Sequence, residues 1–183
     1  DDGRLWTYFS DGPFFERAEF LASLVQRAQA KDPQYYAIVD ATSGLALGLA
    51  AYLRIDPNAA SIKVGWLHFS PALQGTRLAT AAMVLMMQNA FALGYRRYEW
   101  KCNALNAPSR NAALRLGFSF EGIFRQAAVN KGRNRDTAWF SVIDSEWPAL
   151  QAILTQWLAA DNFDAAGRQK QALSSLTRDL QAA

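Results

Sequence analysis

The stretch from Ser70 to Phe91 holds residues whose types and spacing suit the binding of an anion. Gly75 stands in a loop before a run of helix formers, where it lets the chain pass close to a ligand without a side-chain clash. The amides of the first helical turn, in residues 76–80, lack partners within the helix, and with the helix dipole they favour a group such as a pyrophosphate. Thr76 adds a hydroxyl and Arg77 a charge. The alternative is that Thr76 only caps the helix and that Arg77 is solvated.

A series of strands and helices must position this loop. Strands are predicted near residues 35–40, 45–55, 61–69, 95–102, 118–128 and 136–143. Helices are predicted over 16–29, from the loop to 93–94, over 107–117, from 147 to about 160, and once more in the tail. The alternation in 61–69 places Ile62, Val64, Trp66 and His68 on one face. The order indicates an α+β fold, a mixed and mostly antiparallel sheet with helices on both faces, and not a regular βαβ dinucleotide fold.

The composition limits the class of protein. The chain has 183 residues, of which 51% are hydrophobic and 13% aromatic, and this suits one folded domain. A net charge of +3 allows an anionic ligand but does not by itself indicate nucleic acid. The single Cys102 excludes an internal disulfide framework, and no apolar run approaches membrane-spanning length. We therefore expect a cytoplasmic protein with neither a nucleic-acid nor a membrane partner.

Three short motifs follow one another along the chain. The loop at 74–79 reads Q-x-x-x-x-A, and it precedes N-x-x-S at 106–109 and L-G-F-x-x-E-G at 116–122. In this order and spacing they resemble motifs of the GCN5-related N-acetyltransferases, the GNAT superfamily, and within it the RimJ/RimL-type branch of protein N-terminal acetyltransferases. Such proteins usually begin with a further strand, so the resemblance implies that an N-terminal strand is missing from this chain, which starts without Met.

The resemblance also implies a cofactor site. Acetyl-CoA would lie between strands 61–69 and 95–102, a parallel pair that splays apart at its C-terminal ends. The backbone of Leu67, His68 and Phe69 would pair with the pantetheine arm, and an N–H there would polarise the thioester carbonyl. The pyrophosphate would be held by Gln74, Gly75, Thr76, Arg77, Leu78 and Ala79. An amine would attack the thioester directly, with neither a cysteine nucleophile nor a metal ion.

Asn106 and Ser109 stand at the start of a predicted helix, on neighbouring faces of its first turn. In one interpretation Asn106 is only a helix cap and Ser109 a polar residue of the first turn. In the other, which the resemblance implies, Asn106 binds the cofactor arm and Ser109 donates a proton to the departing thiolate. Many relatives place a tyrosine at the position of Ala113 for this purpose, so here Ser109 or a bound water must serve.

The base that removes a proton from the acceptor amine is the least defined part of the predicted site. Relatives often carry an acidic residue on the third strand, where this chain has Lys63. His68 is the only histidine, and its ordinary pKa suits a base at neutral pH, although it can equally be a packed side chain. Glu121 is the second candidate, and its alternative role is an ion pair with Arg115 or Arg125.

The first segment of the chain is rich in aromatic residues that either line an acceptor pocket or belong to the core. They are Trp6, Tyr8, Phe9, Phe14 and Phe15. For Phe14 and Phe15 we predict the core.

Three classes of function are consistent with these observations. The first is an enzyme that transfers acetyl from acetyl-CoA to a protein N-terminus or a small-molecule amine. The second is a catalytically degenerate acyl-CoA-binding module. The third, nucleic-acid binding, rests only on charge and on the basic turn at 130–135. We predict the enzyme, as a monomer or homodimer, with residues 1–160 forming a single acetyltransferase domain and residues 161–183 a C-terminal helical tail.

Overall fold

Six strands form the sheet at the centre of the computed structural model, which describes residues 3–182. They are β1 Gln34–Val39, β2 Ala46–Asp56, β3 Ser61–Phe69, β4 Arg97–Asn103, β5 Ser119–Asn130 and β6 Arg133–Ile143. Their order in the sheet is β1-β2-β3-β4-β6-β5, and all neighbours run antiparallel except β3 and β4, which are parallel. The predicted class, α+β with a mixed and mostly antiparallel sheet, is confirmed.

The parallel strands β3 and β4 are paired over only the first part of their length. Pairing runs from Ser61 opposite Arg97 to Val64 opposite Trp100, whereas β3 continues to Phe69 and β4 continues past Trp100. The strands therefore part at their C-terminal ends, and in the described part of the chain no strand fills the gap. The predicted splayed pair is confirmed.

A bulge interrupts β3 where the two strands part. Between the pairs Leu49–His68 and Ala51–Gly65, β3 has one residue more than β2. Trp66 lies in this interval with a φ of 52°, a left-handed conformation that is uncommon for a large side chain. Two residues opposite one define a β-bulge, which redirects the side chains that follow it.

The bulge reverses which side chains of β3 face the main core. Before it, Val64 is buried in that core, and after it Leu67 and Phe69 pack against the same core. The predicted alternation put Trp66 and His68 on the face of Val64, and this is wrong, because strict alternation does not allow for an inserted residue. Trp66 and His68 instead lie on the opposite face of the sheet, stacked with a ring-centroid distance of 6.1 Å.

Helices cover both faces of the sheet. Within the described residues they are α1 Arg17–Gln29, α2 Arg77–Ala92, α3 Ala107–Arg115, α4 Trp147–Leu158 and α5 Leu173–Ala182. α2 buries Met83, Val84 and Met87 in the main core. α1 lies on the other face, where the Arg27 guanidinium is 5.8 Å from the centre of the Trp66 ring. Each of these helices is too short or too polar to span a membrane.

The C-terminal part of the chain packs onto α3 and α4. Leu173 is fully buried in the main core, and the Thr177 hydroxyl donates to the Arg115 carbonyl at the end of α3, at 3.4 Å. The helix predicted in the tail is confirmed as α5. The division into a domain of residues 1–160 and a separate tail stays a prediction.

Candidate active site

The edge of β3 that faces the gap carries backbone groups that β4 does not pair, of which the Phe69 carbonyl accepts from Gln74 Nε2. The Ser70 amide donates to the Leu47 carbonyl of β2 at 3.0 Å, and successive residues of a strand direct their backbone groups to opposite edges. Leu67 and Phe69 therefore face the gap between β3 and β4, whereas the backbone of His68 faces β2. An extended ligand laid in the gap would bond to this edge as an added strand.

Backbone amides converge at the start of α2, beyond the end of β3. Gly75 has a φ of 71°, and Thr76 caps the helix by accepting from the Ala79 amide at 3.1 Å. The amides of Gly75, Arg77 and Leu78 make no hydrogen bond to any described residue. These three donors and the helix dipole form the kind of site that holds a phosphate.

Two side chains of this loop are engaged within the protein. Gln74 Nε2 donates to the Phe69 carbonyl at 2.8 Å, which fixes the loop to the end of β3. The Arg77 guanidinium donates to the Leu158 carbonyl at the end of α4 and lies 4.6 Å from the centre of the Phe163 ring. An anion at the loop would therefore meet backbone amides before it met either side chain, and a direct role for Arg77 stays a prediction.

Asn106 and Ser109 lie at the start of α3, beside the point where β3 and β4 part. Asn106 Oδ1 accepts from the Ser109 amide at 3.2 Å, so it caps α3 as one interpretation expected. The Ser109 hydroxyl accepts from Trp100 Nε1 at 3.1 Å. Cys102 is a buried residue near the end of β4, and burial raises the pKa of its thiol. Trp100 was not predicted, although the alternation of β4 directs it and Cys102 to the same face.

His68 lies in an aromatic stack on the opposite face of the sheet. Its ring is 3.7 Å from that of Phe9 and 4.9 Å from that of Trp6, measured between centroids. Nδ1 is 3.2 Å from the Trp66 carbonyl, which assigns the proton to Nδ1, and Nε2 is buried without a partner among the described residues. Burial lowers the pKa of His68 to about 4, so its side chain is neutral at physiological pH.

The aromatic segment, residues 3–16, covers His68 and contacts residues on both sides of the gap. The Tyr8 hydroxyl donates to the Leu105 carbonyl after β4 at 3.0 Å. Lys131, in the turn between β5 and β6, donates through Nζ to the Trp6 carbonyl at 2.9 Å. These contacts place the segment as a wall on the face opposite α2. Phe15 is 83% exposed, so its predicted place in the core is wrong.

This combination of a splayed parallel pair, an open strand edge and an amide-lined helix start has a counterpart among known proteins. The family model described as the acetyltransferase (GNAT) domain matches residues 2–119. The chain belongs to the GNAT family.

Solved GNAT structures share the fold of this chain. A GCN5-related N-acetyltransferase from Brucella melitensis is 48% identical, with a TM-score of 0.92 over 95% of this chain and 79% of that one. A probable acetyltransferase of the GNAT family from Chromobacterium violaceum is 44% identical, with a TM-score of 0.77 over 81% of this chain and 75% of that one.

A ribosomal-protein-serine acetyltransferase of Escherichia coli (strain K12) is also similar, at 31% identity over 102 residues. The matched part is 55% of this GNAT chain and 56% of the E. coli protein. The chain thus spans little more than half the length of this curated relative.

Glu121 is not brought to the other candidate residues of this GNAT domain. Its carboxylate accepts two bonds from the Arg97 guanidinium, at 2.7 and 2.6 Å, and one from Ser141 at 2.8 Å. The bonds from Arg97 lower the pKa of Glu121. Arg97 is the first residue of β4, at the end opposite to the gap. The predicted partners of Glu121 were Arg115 or Arg125, and Arg97 takes their place. Among residues 3–182, no group of three or more His, Cys, Asp or Glu side chains is placed to hold a metal ion.

Proposed function

We propose that this chain is an N-acetyltransferase that transfers the acetyl group of acetyl-CoA to an amine by direct attack. The observation that carries the proposal is the parting of β3 and β4 after Val64 and Trp100, next to the free amides at the start of α2. Family membership supports the same reaction, because GNAT acetyltransferases use acetyl-CoA.

In this proposal the backbone holds and polarises the thioester. Leu67 and Phe69 bond to the pantetheine arm, and a backbone N–H of β3 stabilises the negative charge that forms on the carbonyl oxygen during attack. The free amides of Gly75, Arg77 and Leu78 hold the pyrophosphate. The amine nitrogen forms a bond to the carbonyl carbon, the carbon–sulfur bond breaks, and CoA leaves as a thiolate.

Ser109 is the proposed donor of a proton to that thiolate. Its oxygen already accepts from Trp100 Nε1 at 3.1 Å, which leaves the hydroxyl hydrogen to be donated. Solvent then restores the proton. Asn106 acts indirectly, since its side chain holds the Ser109 amide at 3.2 Å and fixes the first turn of α3.

His68 acts in this proposal as an acceptor of a hydrogen bond, not as a base that stores a proton. With a pKa of about 4 it binds a proton weakly at neutral pH. Its Nε2, which is buried without a partner among the described residues, would orient a neutral amine that displaces part of the aromatic segment, and the excess proton of the amine passes to water. Because Glu121 is bound to Arg97 at the far end of β4, we leave it out of this step.

A protein N-terminus is the acceptor that we propose. The relative from E. coli is named for acetylation of a ribosomal protein, and the RimJ/RimL-type motifs of this chain agree with such a substrate. The aromatic segment forms a wall beside the gap, along which an extended peptide can lie. A ribosomal substrate would also place the protein in the cytoplasm.

A screen of N-terminal peptides and small amines tests this function. Acetyl-CoA binding is measured by calorimetry, thiol release by an optical assay, and acetylated products by mass spectrometry. We expect micromolar-range binding, thiol release with at least one peptide, and the acetyl group on its α-amine. Binding without thiol release across the panel would indicate an acyl-CoA-binding module, and absence of binding would contradict both functions.

A further inference from the structure

Three cationic side chains surround the indole ring of Trp139 on β6. The distances to the ring centroid are 5.2 Å for the Arg54 guanidinium, 5.9 Å for Lys63 Nζ and 5.3 Å for Lys101 Nζ. These four residues are called the basic cluster below. They come from β2, β3, β4 and β6, so the sheet itself brings them together.

The basic cluster contains one buried donor without an acceptor and three cations without a carboxylate partner among the described residues. Lys63 is only 3% exposed, and no carboxylate of the described residues forms an ion pair with it. The nearest acidic residue on β4, Glu99, is already bound to Arg97 at 2.7 Å. Trp139 is 9% exposed, and its Nε1 is buried without a partner among the described residues. Buried polar groups are nearly always paired, so this group of donors requires an explanation.

The charges of the basic cluster repel one another. Burial, and then the charges of Lys101 and Arg54, lower the pKa of Lys63 to about 7, with Glu99 acting weakly in the opposite sense. Burial, Arg135 and Arg54 also lower the pKa of Lys101. Cation–π contact with Trp139 stabilises these groups, but it does not remove their repulsion. An anion placed among them would offset the repulsion and accept from the free donors.

The basic cluster lies beside the point where the acetyl group would be held. Val64 and Trp100 are the last paired residues of β3 and β4. Lys63 comes directly before Val64, and Lys101 comes directly after Trp100. Since Val64 points into the main core, Lys63 points to the opposite face, which also holds His68 and the aromatic segment. This is the face that an acceptor would approach if the cofactor phosphates bind at α2.

We propose that the basic cluster binds a carboxylate of the acceptor and so makes the enzyme selective for acidic substrates. This inference rests on the proposed function. Lys63 stands four residues before Leu67, whose backbone faces the gap, a span of about 13 Å in a regular strand. The bulge at Trp66 shortens this span, so the carboxylate would lie roughly 10 Å from the acetylated amine. In an extended peptide, an acidic side chain at the second or third residue reaches this distance. Two ammonium groups, a guanidinium and an indole N–H supply charge-assisted bonds to its oxygens.

Matched peptides that differ only in a carboxylate or an amide at one position test this selectivity. N-terminal serine peptides are compared with Glu or Gln at the second and at the third residue, in the parent and in Lys63→Met and Lys101→Met. We expect the parent to prefer one Glu peptide over its Gln counterpart by about 10- to 100-fold in kcat/KM. Both variants should lose the preference while keeping the acetyl-CoA Kd of the parent. Lys170→Met, which removes an exposed lysine of the C-terminal segment, should keep the preference.

A binding measurement separates this inference from the proposed function. The same peptides are titrated into the CoA complex by calorimetry, in two buffers of different ionisation enthalpy at pH 8. Binding of the Glu peptide should take up a proton, because a carboxylate raises the pKa of Lys63, and the Gln peptide should not. If no peptide is acetylated but the Glu peptide takes up a proton and the Gln peptide does not, the proposed acetyltransferase function is wrong and the carboxylate site is supported. Equal binding of both peptides, or a preference that survives Lys63→Met and Lys101→Met, would overturn the site.

Discussion

Replacement of Gly75 by alanine separates a ligand-binding loop from an ordinary turn. Gly75 has a φ of 71°, and a Cβ built on it meets no protein atom within 4 Å. A side chain there costs about 1–2 kcal/mol of stability because of the left-handed backbone alone. Gly44, in the turn between β1 and β2, has a φ of 70° and equally open surroundings. Gly44→Ala should therefore cost the same stability, and it serves as the matched control.

Only Gly75→Ala should weaken CoA binding. Because its methyl group contacts no protein atom, a loss of affinity must come from the ligand or from displaced amides. Loss of one amide bond to a charged phosphate is worth about 1.5–3 kcal/mol, which is roughly a 10- to 150-fold increase in Kd. Gly75→Val, with a branched side chain in the same place, should weaken binding further.

Calorimetric titration of CoA into the parent and into both alanine variants measures this effect, and thermal unfolding checks that the two variants are equally destabilised. The phosphate role of the loop is refuted if Gly75→Ala binds CoA as tightly as the parent. It is also refuted if Gly44→Ala loses as much affinity, since the loss would then follow stability and not the site.

Four further substitutions test other parts of the site. Ser109→Ala should slow turnover by about a hundredfold with little change in acetyl-CoA Kd, as steady-state kinetics and calorimetry would show, and an unchanged kcat would make Ser109 a helix residue only. His68→Phe should weaken the rise of stability with pH between about 4 and 6.5, where the unfolded state binds a proton that the folded state does not. Urea unfolding at pH 5 and pH 7 measures this rise, which should be about 2 kcal/mol in the parent and absent in the variant. Glu121→Gln should cost roughly 0.5–1 kcal/mol in urea unfolding and leave kcat within about twofold, and a large loss of kcat would return Glu121 to the list of bases. Arg77→Ala should raise the CoA Kd less than Gly75→Val does. It should also speed amide exchange in residues 160–163, because Arg77 binds the Leu158 carbonyl and the Phe163 ring. An unchanged exchange rate would mean that these two contacts do not hold the segment, and a Kd raised as much as in Gly75→Val would contradict the minor role of Arg77.

The fold could be predicted because it depends on patterns within short segments and on the order of motifs along the chain. The periodicity of each strand and the glycine stop after α2 are properties of short segments, and the splayed pair came from the resemblance. The face of His68 could not be predicted, because one inserted residue at the Trp66 bulge reverses all the side chains beyond it.

Side-chain partners that lie far apart in the sequence could not be predicted either. Glu121 pairs with Arg97 because β4, β6 and β5 are neighbours in the sheet, not because of spacing along the chain. Lys63 and Lys101 meet at Trp139 for the same reason. Alternation on each strand predicts a face for each residue, but only the order and register of strands bring two such faces together.

A crystal structure of the protein with bound CoA tests the proposed site most directly. We expect the pantetheine arm between β3 and β4, bonded to the backbone of Leu67 and Phe69, and the pyrophosphate within hydrogen-bond distance of the amides of Gly75, Arg77 and Leu78. The CoA sulfur should lie near the Ser109 hydroxyl. A cofactor bound elsewhere, or a complex in which β3 and β4 pair along their whole length, would contradict the proposed site and the reaction built on it.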